Sequence, residues 1–344
     1  MMDSYNLTTD IPEVQQDISY VRYVLVGVFF LPCAIVIFVG NTFVLLAYKR
    51  DKRIRKNTTN AYILNLAVAD LLVSVVMAIY VPLYFTGTWK FGGAFCVVLC
   101  VLDYTATDMS VMTIIAISVD RYVMVQNSLR HRSRQSHKKV AIICSIIWIT
   151  CLATHSTLAF TYSSRTGFLH DEDRIAACDL GYGKNLVVLV MTFLVEFLVP
   201  ALCVFALNLT VYFRLKRRTI ILQTRQGRCH LSSAVPLDYR ASPTTSLEND
   251  DMRIHRSASG SQHQKAARFL ALLLCVFILC WLPYYINECY AFFYSSSVHT
   301  EALTDLVSYI MAYIMWINSA INPILYAFTN VFFKENFKRF LRCK

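Results

Sequence analysis

Four acidic residues sit inside long apolar runs of this chain: Asp70, Asp103, Asp108 and Glu196. No Lys or Arg lies at comparable depth in those runs. A carboxylate held away from water must be paired, be neutralised or face a water-filled space. Four of them without a basic partner suit a site that takes up cations. The plainer alternative is that each acid stays neutral or is answered by neighbouring Ser, Thr and Asn; it is stronger for any one acid than for all four together. Asp103 and Arg121 are 18 residues apart on one run. On a helix that is about five turns and roughly 27 Å, so the two share a face about one bilayer thickness apart. A carboxylate near one mouth and an Asp120-Arg121 pair near the other can sense on one side and report on the other.

The elements that must position these residues are membrane spans. The 344 residues are 56% hydrophobic and 16% charged, against about half and a quarter in a soluble domain. Seven apolar runs are expected to cross the bilayer: Val24–Tyr48, Ala61–Phe85, Ala94–Val119, Val140–Tyr162, Asn185–Phe213, Phe269–Ile286 and Leu306–Phe333. Residues 1–20 are polar and read as an outer tail without a cleavable signal peptide, so the first span serves as the signal anchor. The seven-span domain runs over 21–330, with 214–264 a mostly disordered third inner loop that is basic, rich in Ser, Thr and Gln and lacking apolar periodicity. An amphipathic helix and short tail occupy 331–344.

The net charge of +11 is distributed by loop and is not a nucleic-acid signal. Arg22, Lys90, Arg165, Arg174 and Lys184 fall on one side, and 27 of the 33 basic residues fall in the loops and tail of the other. The positive-inside rule then puts the N-terminus outside and the C-terminus in the cytoplasm of a multi-pass plasma-membrane protein. Asn6 heads a glycosylation sequon in the outer tail, whereas topology rules out Asn57 and Asn208. Cys343, after the amphipathic helix, is a candidate for palmitoylation. The 12 cysteines form no Cys-x-x-Cys pair, which argues against a structural metal site.

Asp103 is the strongest of the acids. Tyr104, Trp281, Tyr284, Tyr313 and Trp316 offer aromatic surface, and a carboxylate beside aromatic faces is suited to holding an ammonium ion. Core packing is the competing role for each aromatic taken alone. Asp108 lies about 140° round the helix from Asp103, which would turn it toward the fifth span and Glu196, where two carboxylates would tend to share a proton.

Several motifs together resemble a class A, rhodopsin-like G-protein-coupled receptor of the aminergic branch. They are Asp120-Arg121-Tyr122, Phe277 with Cys280-Trp281-Leu282-Pro283, and Asn322-Pro323-x-x-Tyr326, with Asn41, Asp70 and Trp148 on other spans. The resemblance covers about residues 21–343 and implies a seven-helix bundle that is a receptor and not an enzyme. It implies a ligand amine held by Asp103, with Thr107 in the same set, and a disulfide between Cys96 and Cys178. It also implies a sodium site at Asp70, Ser110, Asn318, Ser319 and Asn322, with no other cofactor or metal. Glu196, Trp316 and Asn208 resemble the third and fourth histamine receptor subtypes, in which the Glu faces an imidazole ring. Two departures concern the switch: His263 stands where an acid usually faces the Arg, and Asn208 where many relatives have Tyr. Both point to basal activity. A third departure is that the fourth span lacks the proline common near its outer end.

The expected function is therefore a receptor for a small cationic amine, histamine or a similar ligand, acting on a heterotrimeric G protein by population shift. Arrestin, a receptor kinase and membrane lipid are the further partners implied, and nucleic acid is not. Another amine such as acetylcholine or a different monoamine is the alternative within the class, as is an orphan or constitutively active receptor. A transporter is disfavoured because the two halves show no repeat.

Overall fold

The computed structural model describes residues 20–342 except 127–134, 233–267 and 294–297 and the single positions 22 and 270. Among the described residues seven helices are long and apolar enough to cross a membrane: Tyr23–Arg50, Asn60–Thr86, Gly93–Gln126, His137–Thr166, Leu186–Arg217, Ala271–Phe293 and Val307–Thr329. They are called the first to seventh spans. The end carrying the Cys96–Cys178 bridge is called outer, and the end carrying Asp120-Arg121-Tyr122 inner.

The spans are buried to very different degrees. The second and third are the central ones, while the first, fourth and fifth turn much of their surface outward. That surface is Ile, Val, Leu and Phe: Phe38, Ile149, Val187, Leu202 and Phe205 all stand exposed. Exposed apolar residues around a whole bundle are what lipid contact demands.

Proline shapes the spans that bear the site. A proline has no N–H to give, and its ring crowds the carbonyl four residues earlier. In the fifth span the helix widens to a π-helical stretch over Phe193–Leu198, just before Pro200. Glu196 is the residue four before that proline, so the widened turn lies around the expected ligand residue. The first span has the same device at Val26–Phe30, ahead of Pro32. Pro323 lies inside the seventh helix and packs against Gly40 of the first; a Cβ on Gly40 would meet Pro323 Cγ at 3.0 Å. Only glycine permits that approach.

Three boundaries correct the sequence reading. The fifth helix continues from Val199 to Ser232, so residues 214–232 are helical rather than loop. Leu, Arg, Lys and Gln are good helix formers. The seventh span ends at Thr329 rather than Phe333, because the Asn330 side chain accepts from the Phe332 N–H (3.0 Å) and caps a separate helix, Val331–Leu341. That helix packs Phe333 on Tyr326 and Phe337 and Phe340 against Phe43. The sixth span also runs to Phe293, past the expected end at Ile286, which brings Glu288 inside it. Asn6, His263 and Cys343 lie outside the described residues.

Candidate functional site

The outer end is tied first. Cys96 and Cys178 are bonded (S–S 2.05 Å), which fastens the third span to the second outer loop. Trp89 N–H donates to Ala176 O at 2.7 Å and adds the first outer loop to the same unit. Arg174 donates to Leu180 O and lies 5.4 Å from the centre of the Phe168 ring. Among the described residues the one grouping of metal-type side chains is Cys96, Cys100 and Cys178, and two of these three are joined in the disulfide.

Seven residues below Cys96 stands Asp103. Its Oδ1 is shut from solvent and closes no hydrogen bond. Trp316 and Thr107 are its near polar neighbours. Thr107 Oγ1 and Trp316 Nε1 are likewise buried without a closed hydrogen bond. Trp316 Nε1 and Thr107 Oγ1 approach the carboxylate without closing a full hydrogen bond to it, so its own neighbours answer it only in part. Tyr284 lies within electrostatic range of both Asp103 and Glu196, and Tyr104 within range of Glu196 and Tyr284. Pairwise neighbour relations thus link Asp103 to Thr107, Trp316 and Tyr284, and Tyr284 to Tyr104 and Glu196.

Trp281 and Tyr313 are placed differently. Trp281 stacks below Tyr285 (6.3 Å between ring centres) and beside Phe277 (5.2 Å), a floor beneath the site. Tyr313 packs in an aromatic cluster with Phe30 (4.8 Å) and Tyr84 (5.6 Å), which Trp316 also joins. For Tyr313 the packing role is the one the geometry displays.

Two site residues were not legible as such. Tyr285 Oη donates to Glu196 Oε2 at 3.4 Å, holding the acid from the sixth span; the sequence reading chose its neighbour Tyr284 alone. His155 Nε2 lies 3.5 Å from Asp108 Oδ2. The expectation that the four acids lack a basic partner is therefore corrected: a histidine of the fourth span supplies one. Asp108 turns to that span, with Glu196 as a more distant electrostatic neighbour of both. The signal available was the single His in an otherwise apolar run.

Deeper in the bundle Asp70 is fully buried. Ser110 Oγ donates to its Oδ1 (3.2 Å) and Asn322 Nδ2 to its Oδ2 (2.9 Å), while Ser319 lies beside it. Asn322 Oδ1 and Tyr326 Oη are buried there without a hydrogen bond. Asn318 is buried nearby in the chain, but no contact of its own ties it to Asp70. Asn41 Nδ2 donates to Ser319 O (3.3 Å) and so fastens the first span to this cluster. Trp148 Nε1 donates to Asn65 Oδ1 (3.0 Å), whose amide donates to Thr113 Oγ1 (2.8 Å), joining the fourth, second and third spans.

At the inner end Asp120 accepts from Thr59 Oγ1 (2.8 Å) and Gln135 Nε2 (2.7 Å). Arg121 Nη1 reaches the Met124 sulfur at 4.0 Å and has the Asp120 charge beside it, while its Nε closes no hydrogen bond among the described residues. Tyr122 lies under the Arg214 guanidinium at 5.3 Å. Phe277 packs on Phe197, and Tyr326 on Phe269 and Phe333. Pro283, below Tyr284, is partly buried at the sixth-span bend position.

An outer ring of acids and aromatics, a buried polar cluster below it and an inner arginine form a ligand-to-effector axis. Residues 40–326 match the family described as 7 transmembrane receptor (rhodopsin family), and the chain belongs to that family. It is a multi-pass membrane receptor. Among curated relatives it is 26% identical to the histamine H4 receptor of Homo sapiens over 88% of each chain. It is 27% identical to octopamine receptor beta-2R of Chilo suppressalis, over 88% of this chain and 76% of that one. It is also 27% identical to the alpha-1D adrenergic receptor of Homo sapiens, over 93% of this chain and 56% of that one.

Proposed function

We propose that this receptor binds a small cationic amine, histamine or a ligand of that shape, with the amine on Asp103 and the second polar end on Glu196. One observation carries the reading: Tyr284 is within electrostatic range of both acids, and the Asp103 carboxylate beside it has a buried oxygen with no hydrogen bond. An ammonium would fill that place and meet aromatic faces around it. A ring able to donate a hydrogen bond or carry a proton gives Glu196 its use. The histamine receptor relative supports this ligand. A different monoamine is the second reading, favoured by the equal identity to octopamine and adrenergic receptors.

The transducing half follows the same reading. The N-terminus lies outside, the C-terminus in the cytoplasm, and the inner face meets a heterotrimeric G protein, with arrestin and a receptor kinase as later partners. Asn6 and Cys343 are the glycosylation and palmitoylation sites of that topology, and helix Val331–Leu341 rests on lipid. Sodium fits at Asp70: a hard cation takes oxygen ligands, and Asp70, Ser110, Ser319 and the unpartnered Asn322 Oδ1 supply them. His263 in place of an acid and Asn208 in place of Tyr make basal signalling the expectation.

The test is G-protein activation in cells across a panel of biogenic amines, with Asp103→Ala and Glu196→Gln alongside. Histamine responses blunted by both changes support the two-acid reading. A different amine that depends on Asp103 alone removes Glu196 from it. Silence to every amine at normal surface expression overturns the ligand assignment.

A further inference from the structure

Asp108 is a third acid at the level of the ligand site, with Oδ1 buried and closing no hydrogen bond. Its oxygen Oδ2 lies 3.5 Å from His155 Nε2, and His155 is 95% buried. The same imidazole stacks on Tyr104, with ring centres 5.8 Å apart and planes at 23°. Tyr104 in turn packs on Tyr182 of the outer loop (5.7 Å). One side chain of the fourth span therefore touches both the spare acid and the aromatic residue adjoining Asp103.

We propose that His155 is a positioning residue for ligand selectivity: its imidazole sits against Asp108 and its ring orients Tyr104, so that the site offers a ligand two acids and not three. This rests on the amine reading. The groups facing His155 are Asp108 and Tyr104 from the third span and Glu196 from the fifth, while Cys151, one turn earlier on its own span, reaches Asp108. Two of the three facing groups are acids and none is a cation. Replacing Asp108 or His155 singly leaves the other without its partner. Replacing both with neutral amides removes the need for either.

The experiment is a double-mutant cycle on the full chain: Asp108→Asn, His155→Gln and the double variant. Its first readout is thermal unfolding of the purified receptor without ligand. Each single change is expected to lower the midpoint, and the double change to recover most of the loss. Singles that fail to express while the double variant expresses are the same rescue. Losses that simply add, or singles that match wild type, overturn the pair. The second readout is the potency ratio of a diamine to a monoamine of matched size. His155→Gln, which frees a third acid, is expected to raise that ratio by about tenfold or more, and the double variant to return it. A loss of packing alone would weaken both ligands together, so an unchanged ratio overturns the selectivity role. A wild-type receptor that answers no amine overturns the amine reading and the selectivity role with it. The thermal cycle, which needs no ligand, then still decides the pair.

Discussion

Asp70 and Asp103 are both acids buried within spans, but the chain completes only one of them. Asp70 has a donor on each oxygen, from the third span and from the seventh. Asp103 has an oxygen with none, and the two polar groups beside it, on Thr107 and Trp316, are also unmet. A carboxylate completed by its own protein tunes the bundle from within. A carboxylate answered only in part by Thr107 and Trp316 keeps room for a donor from outside.

The largest expected effect is at the open acid. Removing one partner of a buried, charge-assisted contact costs on the order of 2–5 kcal/mol. Asp103→Ala should therefore weaken amine binding by about 30-fold or more, measured by competition binding at matched surface expression. A receptor indifferent to this change would erase the contrast, since Asp103 would then be as self-contained as Asp70. At the completed acid the effect should be smaller and of another kind. Asp70→Asn keeps a hydrogen-bonding side chain but removes the charge. It should abolish the sodium dependence of agonist affinity, a coupling of about fivefold to tenfold, while leaving binding in sodium-free buffer close to wild type. Agonist binding measured across sodium concentrations distinguishes this from loss of fold.

How much of this contrast was legible in the sequence depends on the distance each feature spans. Asp103 and Arg121 on one face, the seven spans and the three motifs are read along a single helix, where 3.6-residue periodicity is enough. The Cys96–Cys178 bridge came from resemblance and is present. Partners across helices were not legible. His155 meets Asp108 because the third and fourth spans pack in one rotation, and no local pattern encodes that rotation. Tyr285 in place of Tyr284 as the donor to Glu196 has a similar cause: the π-helical stretch at Phe193–Leu198 departs from the periodicity by which a face is counted. The extension of the fifth helix to Ser232 was missed because residues 214–232 carry no apolar periodicity by which a helix face is counted.

Glu196 lies between the two cases, with one donor from Tyr285 at 3.4 Å. That contact is long, so its net worth is nearer about 1 kcal/mol than the upper range for charged groups. Tyr285→Phe should lower the affinity of a two-ended ligand by about fivefold and leave a plain monoamine almost untouched. Equal losses for both ligands would mean that the hydroxyl acts through its other acceptor, Thr192 O at 3.4 Å, and not by holding the acid.

Asp51, beyond the inner end of the first span, gives the weakest case, because it is completed by the chain in contact with water. Arg53 donates to it through Nε (3.1 Å) and Nη2 (2.8 Å), and Asn336 of the last helix through its amide (2.9 Å). Arg53 also reaches Glu335 at 3.0 Å and lies over the Phe332 ring. These donors, Arg53 first, hold the Asp51 carboxyl well below the usual carboxylate range. A depressed value means the clamp contributes in full above the ordinary Asp pKa and is lost only as pH falls through the lowered one. Between pH 5 and 8 it should therefore not respond to pH. Arg53 is about half exposed, so the clamp should loosen with salt. Asp51→Asn should speed amide exchange across Val331–Leu341 in the full chain and change agonist affinity by less than about twofold, the scale of a surface contact. An affinity loss as large as that of Asp70→Asn would show instead that the last helix is coupled to the ligand site, and the division between tuned and open acids would then have to extend to the inner face.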